Sequence, residues 1–200
     1  MAIQGTIEIR YRPAVDVESA DDLVDVQELL LVLEQEGGPV RLAEVGRKRL
    51  PPPDDGDASP NWGHVRRVVD HREELDDVLG EWTYETRTQG TRHQSATRVA
   101  ARGTWTLEGQ ARDTRLHLEL SPELDDQHLL DQFGIEPEAT YVLNVKNPRA
   151  GGDTGLEPDE RVDYPEELQA AFDGNRWAGV DPVELLDHDG VEFLLIPTER

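Results

Sequence analysis

The sequence contains no cysteine and a single methionine, which is its first residue. Disulfides, thiolate metal sites and cysteine nucleophiles are therefore excluded. Long apolar runs are absent as well, since none approaches the ~20 residues that a membrane-spanning helix needs. The first residues do not have the pattern of a signal peptide. These features together predict a soluble cytoplasmic protein that does not associate with a membrane.

Lysine is almost absent, because Lys48 and Lys146 are the only two among 20 basic residues. Against them stand 43 Asp and Glu residues, and the formal net charge is −23. Self-repulsion of that size destabilises a compact chain, whereas molar salt, with a Debye length of ~3 Å, screens most of it. The composition therefore predicts a protein from a halophile. An acidic protein with a basic partner is the alternative, and disorder is disfavoured because 36% of the residues are hydrophobic.

Most motifs that identify an enzyme are missing from the sequence. It has no phosphate-binding G-x-x-x-x-G-K-[ST] loop, no glycine-rich dinucleotide fingerprint, no H-E-x-x-H and no G-x-S-x-G. The six histidines are scattered, and their spacing predicts no set of three or four convergent metal ligands. We therefore expect neither a bound metal nor a cofactor.

Alternating apolar and polar residues predict several β-strands. Residues 40–45 alternate in this way, whereas the continuous apolar run at residues 29–33 cannot be assigned by periodicity alone. Because Gly37 and Gly38 lie between them, the two segments should form a hairpin that turns at these glycines. The other strands are predicted at residues 3–11, 81–87, 97–108, 114–120, 141–145 and 191–196.

Helices are predicted singly between these strands. Apolar residues at helical spacing lie within residues 65–79, and Gly80 follows them as a C-terminal cap. Two further helices are expected at residues 121–133 and 165–172. The pattern predicts an α+β fold with a mainly antiparallel sheet and three or four inserted helices. We expect residues 1–200 to form a single domain, with a loop or weak boundary at residues 51–60.

One segment departs from the acidic trend. Residues 86–107 contain no Asp or Glu, yet they hold four arginines, at positions 87, 92, 98 and 102. Because side chains alternate along a strand, inward-facing Trp82 and Tyr84 would leave charged residues on the opposite face. Pairing the strands at 81–87, 97–108 and 114–120 as a meander would then gather a candidate ligand-binding face of Glu85, Arg87, Arg98, Arg102, Arg115, His117 and Glu119.

Two functions fit this face. The first is a binding or interaction module, in which the arginines meet an anionic small molecule or an acidic protein partner. The second is an enzyme that acts on a phosphorylated small molecule, with glutamate or histidine beside the arginines as acid–base groups. The net charge argues against a nucleic-acid partner. A solvated outer sheet face with ordinary ion pairs is the structural alternative to both.

Overall fold

Eight antiparallel strands close into a barrel in the computed structural model, which describes residues 2–52, 59–88, 90–110, 113–152 and 155–198. The barrel strands are β1 (Ile3–Pro13), β2 (Val26–Gln35), β3 (Val40–Val45), β4 (Asn61–Val69), β7 (Arg98–Gln110), β8 (Asp113–Pro122), β9 (Glu138–Lys146) and β11 (Glu192–Pro197). Their order is β9-β11-β4-β3-β2-β1-β7-β8, and β8 pairs with β9 to complete the circle.

Three other strands lie outside this circle. The strands β5 (Trp82–Thr86) and β6 (Gly90–Gln94) pair only with each other among the described strands. We call them the ribbon. Strand β10 (Trp177–Gly179) pairs with the end of β9, beyond the stretch that pairs with β8.

The interior of the barrel is filled by apolar side chains. Because side chains alternate along each strand, one face of every strand points inward, and eight strands enclose just enough space for such a core. The buried cluster includes Ile7, Ile9, Leu29, Leu31, Trp105, Leu107, Leu116, Leu118, Leu143, Val145, Phe193 and Leu195.

Short helices cover parts of the barrel. Helix α2 (Gln127–Phe133) places Phe133 against Tyr11, with ring centroids 5.4 Å apart. Helix α1 (Asp76–Leu79), with the 3-10 turn before it, covers a second apolar cluster on the outer face of β2, β3 and β4. Helix α3 (Glu166–Gln169) is a single turn. None of the described helices is long and apolar enough to cross a membrane.

The predicted α+β fold is wrong, because the molecule is mostly sheet and the sheet closes on itself. The largest error is the helix expected at residues 65–79. Residues up to Val69 belong to strand β4, and α1 has only four residues. The apolar spacing predicts one helical face, but Val65 belongs to the barrel core and Val69 to the outer apolar cluster, because the pairing of β4 with β3 shifts register between Val65 and Arg67.

The other two predicted helices are shorter than expected. Ser121 and Pro122 end strand β8 instead of starting a helix, and α2 begins at Gln127. Its N-cap is Asp126, whose carboxylate accepts a hydrogen bond from the Leu129 amide at 3.1 Å. In place of the helix predicted at residues 165–172, the structure has the single turn of α3 followed by a 3-10 turn at Ala170–Phe172.

The predicted barrel strands and the hairpin that turns at Gly37 and Gly38 are confirmed. Most of the predicted boundary at residues 51–60 lies outside the described residues, and the single-domain expectation stays a prediction.

Candidate functional site

The seven residues predicted to share one face occupy three separate places. Glu85 and Arg87 lie on the ribbon and at its turn. Arg98 begins β7, directly opposite Tyr11 of β1. The other four, Arg102, Arg115, His117 and Glu119, share the outer surface of β7 and β8. Arg102 lies opposite Ser121 and Arg115 lies opposite Glu108, so these two arginines are near opposite ends of the paired strands.

Two physical reasons explain this difference. Strand β5 pairs with β6, whereas β7 pairs with β1 and β8, so the predicted meander does not form. The apolar faces of β7 and β8 point into a closed barrel, and their polar faces therefore lie on its convex side. The predicted inward orientation of Trp82 and Tyr84 is also wrong, because both side chains are exposed.

The group on β7 and β8 is largely engaged by neighbouring residues. Arg102 forms ion pairs with Glu8 at 3.3 Å and with Glu123 at 3.2 Å. His117 Nδ1 lies 2.9 Å from Thr140 Oγ1. Anion binding by this group remains a prediction.

A groove of about 740 Å³ runs beside this group, where β8 meets β9. Glu119, Glu136 and Glu138 line it together with His117. Carboxylates on its wall repel a phosphorylated substrate, so this geometry does not favour the enzyme alternative. Within the described ranges, no three histidine or acidic side chains converge as a metal site would require.

The ribbon carries a different surface. Trp82 and Tyr84 lie two residues apart on β5 and are 42% and 41% exposed. They share one face of the ribbon, because their positions alternate with those of Thr83 and Glu85. One face of the Trp82 ring is covered by Arg12, whose guanidinium carbon lies 4.5 Å from the ring centroid.

The ribbon is fixed to the barrel along β6. The amide of Asp16 donates to the His93 carbonyl at 2.8 Å, and the His93 amide donates to the Asp16 carboxylate at 2.9 Å. Gln94 is buried and donates to the Pro13 carbonyl at 2.7 Å. All of β5 from Trp82 to Glu85 is exposed, and its outer edge has no paired strand among the described residues.

Sequence reasoning missed a row of buried and half-buried ionisable side chains on the outer side of β9, β11, β4 and β3. Lys146 Nζ lies 3.0 Å from Glu192 Oε2, and both side chains are buried. Glu192 stands directly opposite His64, which in turn stands opposite Glu44. His64 Nε2 lies 3.8 Å from Glu44 Oε2. The only signals in the sequence were the rarity of lysine and a glutamate inside the apolar run at 191–196.

The surroundings of this row change how two of its members titrate. Burial, with Arg66 nearby, lowers the pKa of His64 below the usual histidine value. Burial, with Glu28 nearby, raises the pKa of Glu44 above the usual glutamate value. Perturbed pairs of this kind mark candidate functional sites.

Comparison of the chain with protein-family models, with curated proteins and with solved structures gives no match.

Proposed function

We propose that the protein is a binding module that docks an acidic partner chain on the ribbon. The observation that carries this proposal is the exposure of Trp82 and Tyr84 side by side on a two-stranded element. Large aromatic side chains dominate the energy of protein interfaces when a partner buries them. Among the described residues, the only other exposed large hydrophobic side chain is that of Val24, which is 81% exposed.

Charge favours an acidic partner. The turn of the ribbon lies at the start of residues 86–107, a segment that contains no Asp or Glu. The whole chain, by contrast, has about twice as many acidic as basic residues. Arg87 is exposed at that turn, and no described carboxylate pairs with it. Its guanidinium is therefore free to bind a carboxylate of the partner.

The unpaired edge of β5 favours an extended partner segment. An open strand edge presents backbone N–H and C=O groups that a further strand can bind. The alternate side chains of such a segment would then contact Trp82 and Tyr84.

The test uses two fluorescein-labelled peptides, one alternating Glu and Val and one alternating Lys and Val. We expect the acidic peptide to bind the protein and the basic peptide not to bind. The double variant Trp82→Ala/Tyr84→Ala should bind the acidic peptide at least ~10-fold more weakly, the effect expected when interface aromatics are removed. Fluorescence anisotropy measures both affinities.

The matched control is Val24→Ala, which removes an exposed hydrophobic side chain away from the ribbon. It should leave the affinity unchanged. The proposal fails if both peptides bind alike, or if the double variant binds the acidic peptide as well as the control does.

We also infer that the protein is adapted to high salt. The excess of acids and the preference for arginine over lysine support this inference. So does the direct opposition of Glu119 and Glu138 across β8 and β9, because like charges placed opposite each other are destabilising unless screened.

A further inference from the structure

A second groove opens on the outer surface where β3 meets β4, away from the ribbon. Its volume is about 450 Å³, and its lining includes Trp62, Glu44, Arg47, Lys48, Leu23 and Val24. That volume lies in the range of small-molecule binding sites. We call it the Trp62 groove.

Two glycines fix the position of the Trp62 ring. A Cβ atom on Gly46 would lie 2.9 Å from Cε2 of Trp62, and one on Gly155 would lie 3.0 Å from Cη2. Any larger residue would collide there, so the glycines allow the ring to lie against the backbone. The half-buried ring therefore forms a rigid aromatic wall of the groove.

Arg47 and Lys48 bring positive charge to the groove. Both residues have left-handed backbone conformations, with φ of 55° and 54°. Residues other than glycine rarely adopt this conformation, and those that do are concentrated at functional sites.

The charges of Arg47 and Lys48 remain available to a ligand. No carboxylate of the described residues lies within ion-pair distance of Arg47, which is exposed. The Lys48 ammonium donates to the Val26 carbonyl and keeps two further hydrogens for a ligand.

Glu44 belongs both to the lining of the groove and to the row of ionisable side chains that includes His64 and Glu192. Its side chain is about one-third exposed, and His64 stands opposite it on β4, outside the lining of the groove. His64 Nδ1 and Glu192 Oε1 are both buried and have no hydrogen-bond partner in the described part of the chain. Unpartnered buried atoms are rare in proteins and call for an explanation such as a functional site.

We propose that the Trp62 groove binds a small planar ring compound that carries an anionic group. The ring stacks on Trp62, and the anion binds Arg47 and Lys48. An N–H group of the ring compound, either in the ring or on an amino substituent, donates a hydrogen bond to the Glu44 carboxylate. This site is independent of the ribbon and of its partner.

The experiment titrates the protein with adenosine monophosphate and with indole-3-carboxylate, which carry a phosphate and a carboxylate respectively. Adenosine and inorganic phosphate are the ring and the anion alone for the first compound, and indole and acetate are those for the second. We expect at least one ring anion to bind at least tenfold more tightly than either part, as measured by isothermal titration calorimetry. If adenosine monophosphate is the only tight ligand, the anion that the groove binds is a phosphate. If indole-3-carboxylate is the only tight ligand, that anion is a carboxylate.

The variant Arg47→Gln should weaken binding of the ring anion at least tenfold and leave any binding of adenosine unchanged. Its matched control is Arg67→Gln, because Arg67 is also an exposed arginine, on β4, and does not line the groove. Glu44→Gln should weaken the ring anion but not inorganic phosphate. Circular dichroism verifies that each variant is folded.

Three results overturn the proposal. The first is that neither ring anion binds at millimolar concentration. The second is that inorganic phosphate binds as tightly as the ring anions. The third is that Arg47→Gln and Arg67→Gln have the same effect. None of these results bears on the ribbon, which the peptide experiment tests separately.

Discussion

Arg12 lies against the indole ring of Trp82, with its guanidinium carbon 4.5 Å from the ring centroid. The same guanidinium donates to the Gly80 carbonyl at 2.9 Å and to the Ser95 carbonyl at 2.8 Å. It also pairs with Glu28 of β2 at 2.7 Å. One buried side chain of β1 therefore joins the barrel to the chain on both sides of the ribbon.

Replacing Arg12 should therefore destabilise the protein and loosen the ribbon. We expect Arg12→Ala to lower the free energy of unfolding by about 3–5 kcal/mol, because the carbonyls of Val78, Gly80 and Ser95 each lose a donor at a cost of ~1–3 kcal/mol. Glu28, by contrast, keeps its ion pair with Arg66. Urea unfolding at constant salt measures this loss. Hydrogen exchange should also become faster at the amides of residues 82–94, because they lose their attachment.

Arg67→Ala is the control for this change. Arg67 is 44% exposed and lies 3.6 Å from Asp77, which is 76% exposed, so its loss should cost less than about 1 kcal/mol. Equal losses for the two variants would contradict the role assigned to Arg12.

The buried pair of Lys146 and Glu192 makes a second prediction. Lys146→Met leaves the Glu192 carboxylate buried, and among the described residues only Arg161, at 3.9 Å, still forms an ion pair with it. We expect a loss of about 3–5 kcal/mol in the free energy of unfolding. The double variant Lys146→Met/Glu192→Leu should recover most of it, because no buried charge remains unpaired. A double variant no more stable than Lys146→Met would contradict this explanation, and urea unfolding distinguishes the outcomes.

Most of the barrel strands, though not β4, could be predicted from local signals such as the alternation of apolar residues. Ile7, Ile9 and Tyr11 illustrate this, since all three are in the core. Closure of the barrel could not be predicted in this way. It depends on pairings between residues far apart in the chain, such as Phe193 with Gly63 and Ile7 with Gly103.

The candidate sites were harder to predict, because alternation does not reveal what packs on a strand. Trp82 and Tyr84 have the pattern of a buried face, yet β5 has one neighbouring strand and its aromatic residues stay exposed. Conversely, Lys146 is buried because β11 places Glu192 beside it. Neither environment is contained in the local sequence.

His64 makes stability depend on pH. Its lowered pKa means that the folded state binds a proton less readily than the unfolded state, whose histidines titrate near 6.5. Stability should therefore fall as the pH decreases from 6.5 towards the folded pKa of His64. Glu44, whose pKa is raised, contributes with the opposite sign, so the variant has to change His64 alone.

The variant His64→Gln should reduce this dependence on pH. Urea unfolding over a pH series measures the slope, and NMR titration locates the pKa of His64 in the folded protein. His93→Gln, a change at an exposed histidine of the ribbon, is the control. If His64→Gln and the parent protein lose stability in parallel below pH 6.5, His64 is not the group responsible.

Salt should control whether the protein folds. With a net charge of −23, repulsion between carboxylates opposes the compact state until salt screens it. We expect the melting temperature to rise from low salt to molar potassium chloride, and the far-UV circular dichroism signal to be lost on dialysis into low salt. A cooperative melt at the same temperature in both conditions would contradict this prediction.

Part of this salt dependence should come from a single pair. Glu138→Lys places an ammonium group opposite Glu119, so repulsion across β8 and β9 becomes attraction. The control Glu73→Lys changes the net charge by the same amount at an exposed position away from this pair. We expect Glu138→Lys to raise the melting temperature in low salt more than Glu73→Lys does, and the difference to shrink in molar salt. Both variants change the net charge by the same amount, so any difference between them comes from the local pair. Equal shifts in melting temperature would therefore mean that only the total charge matters and would contradict this prediction.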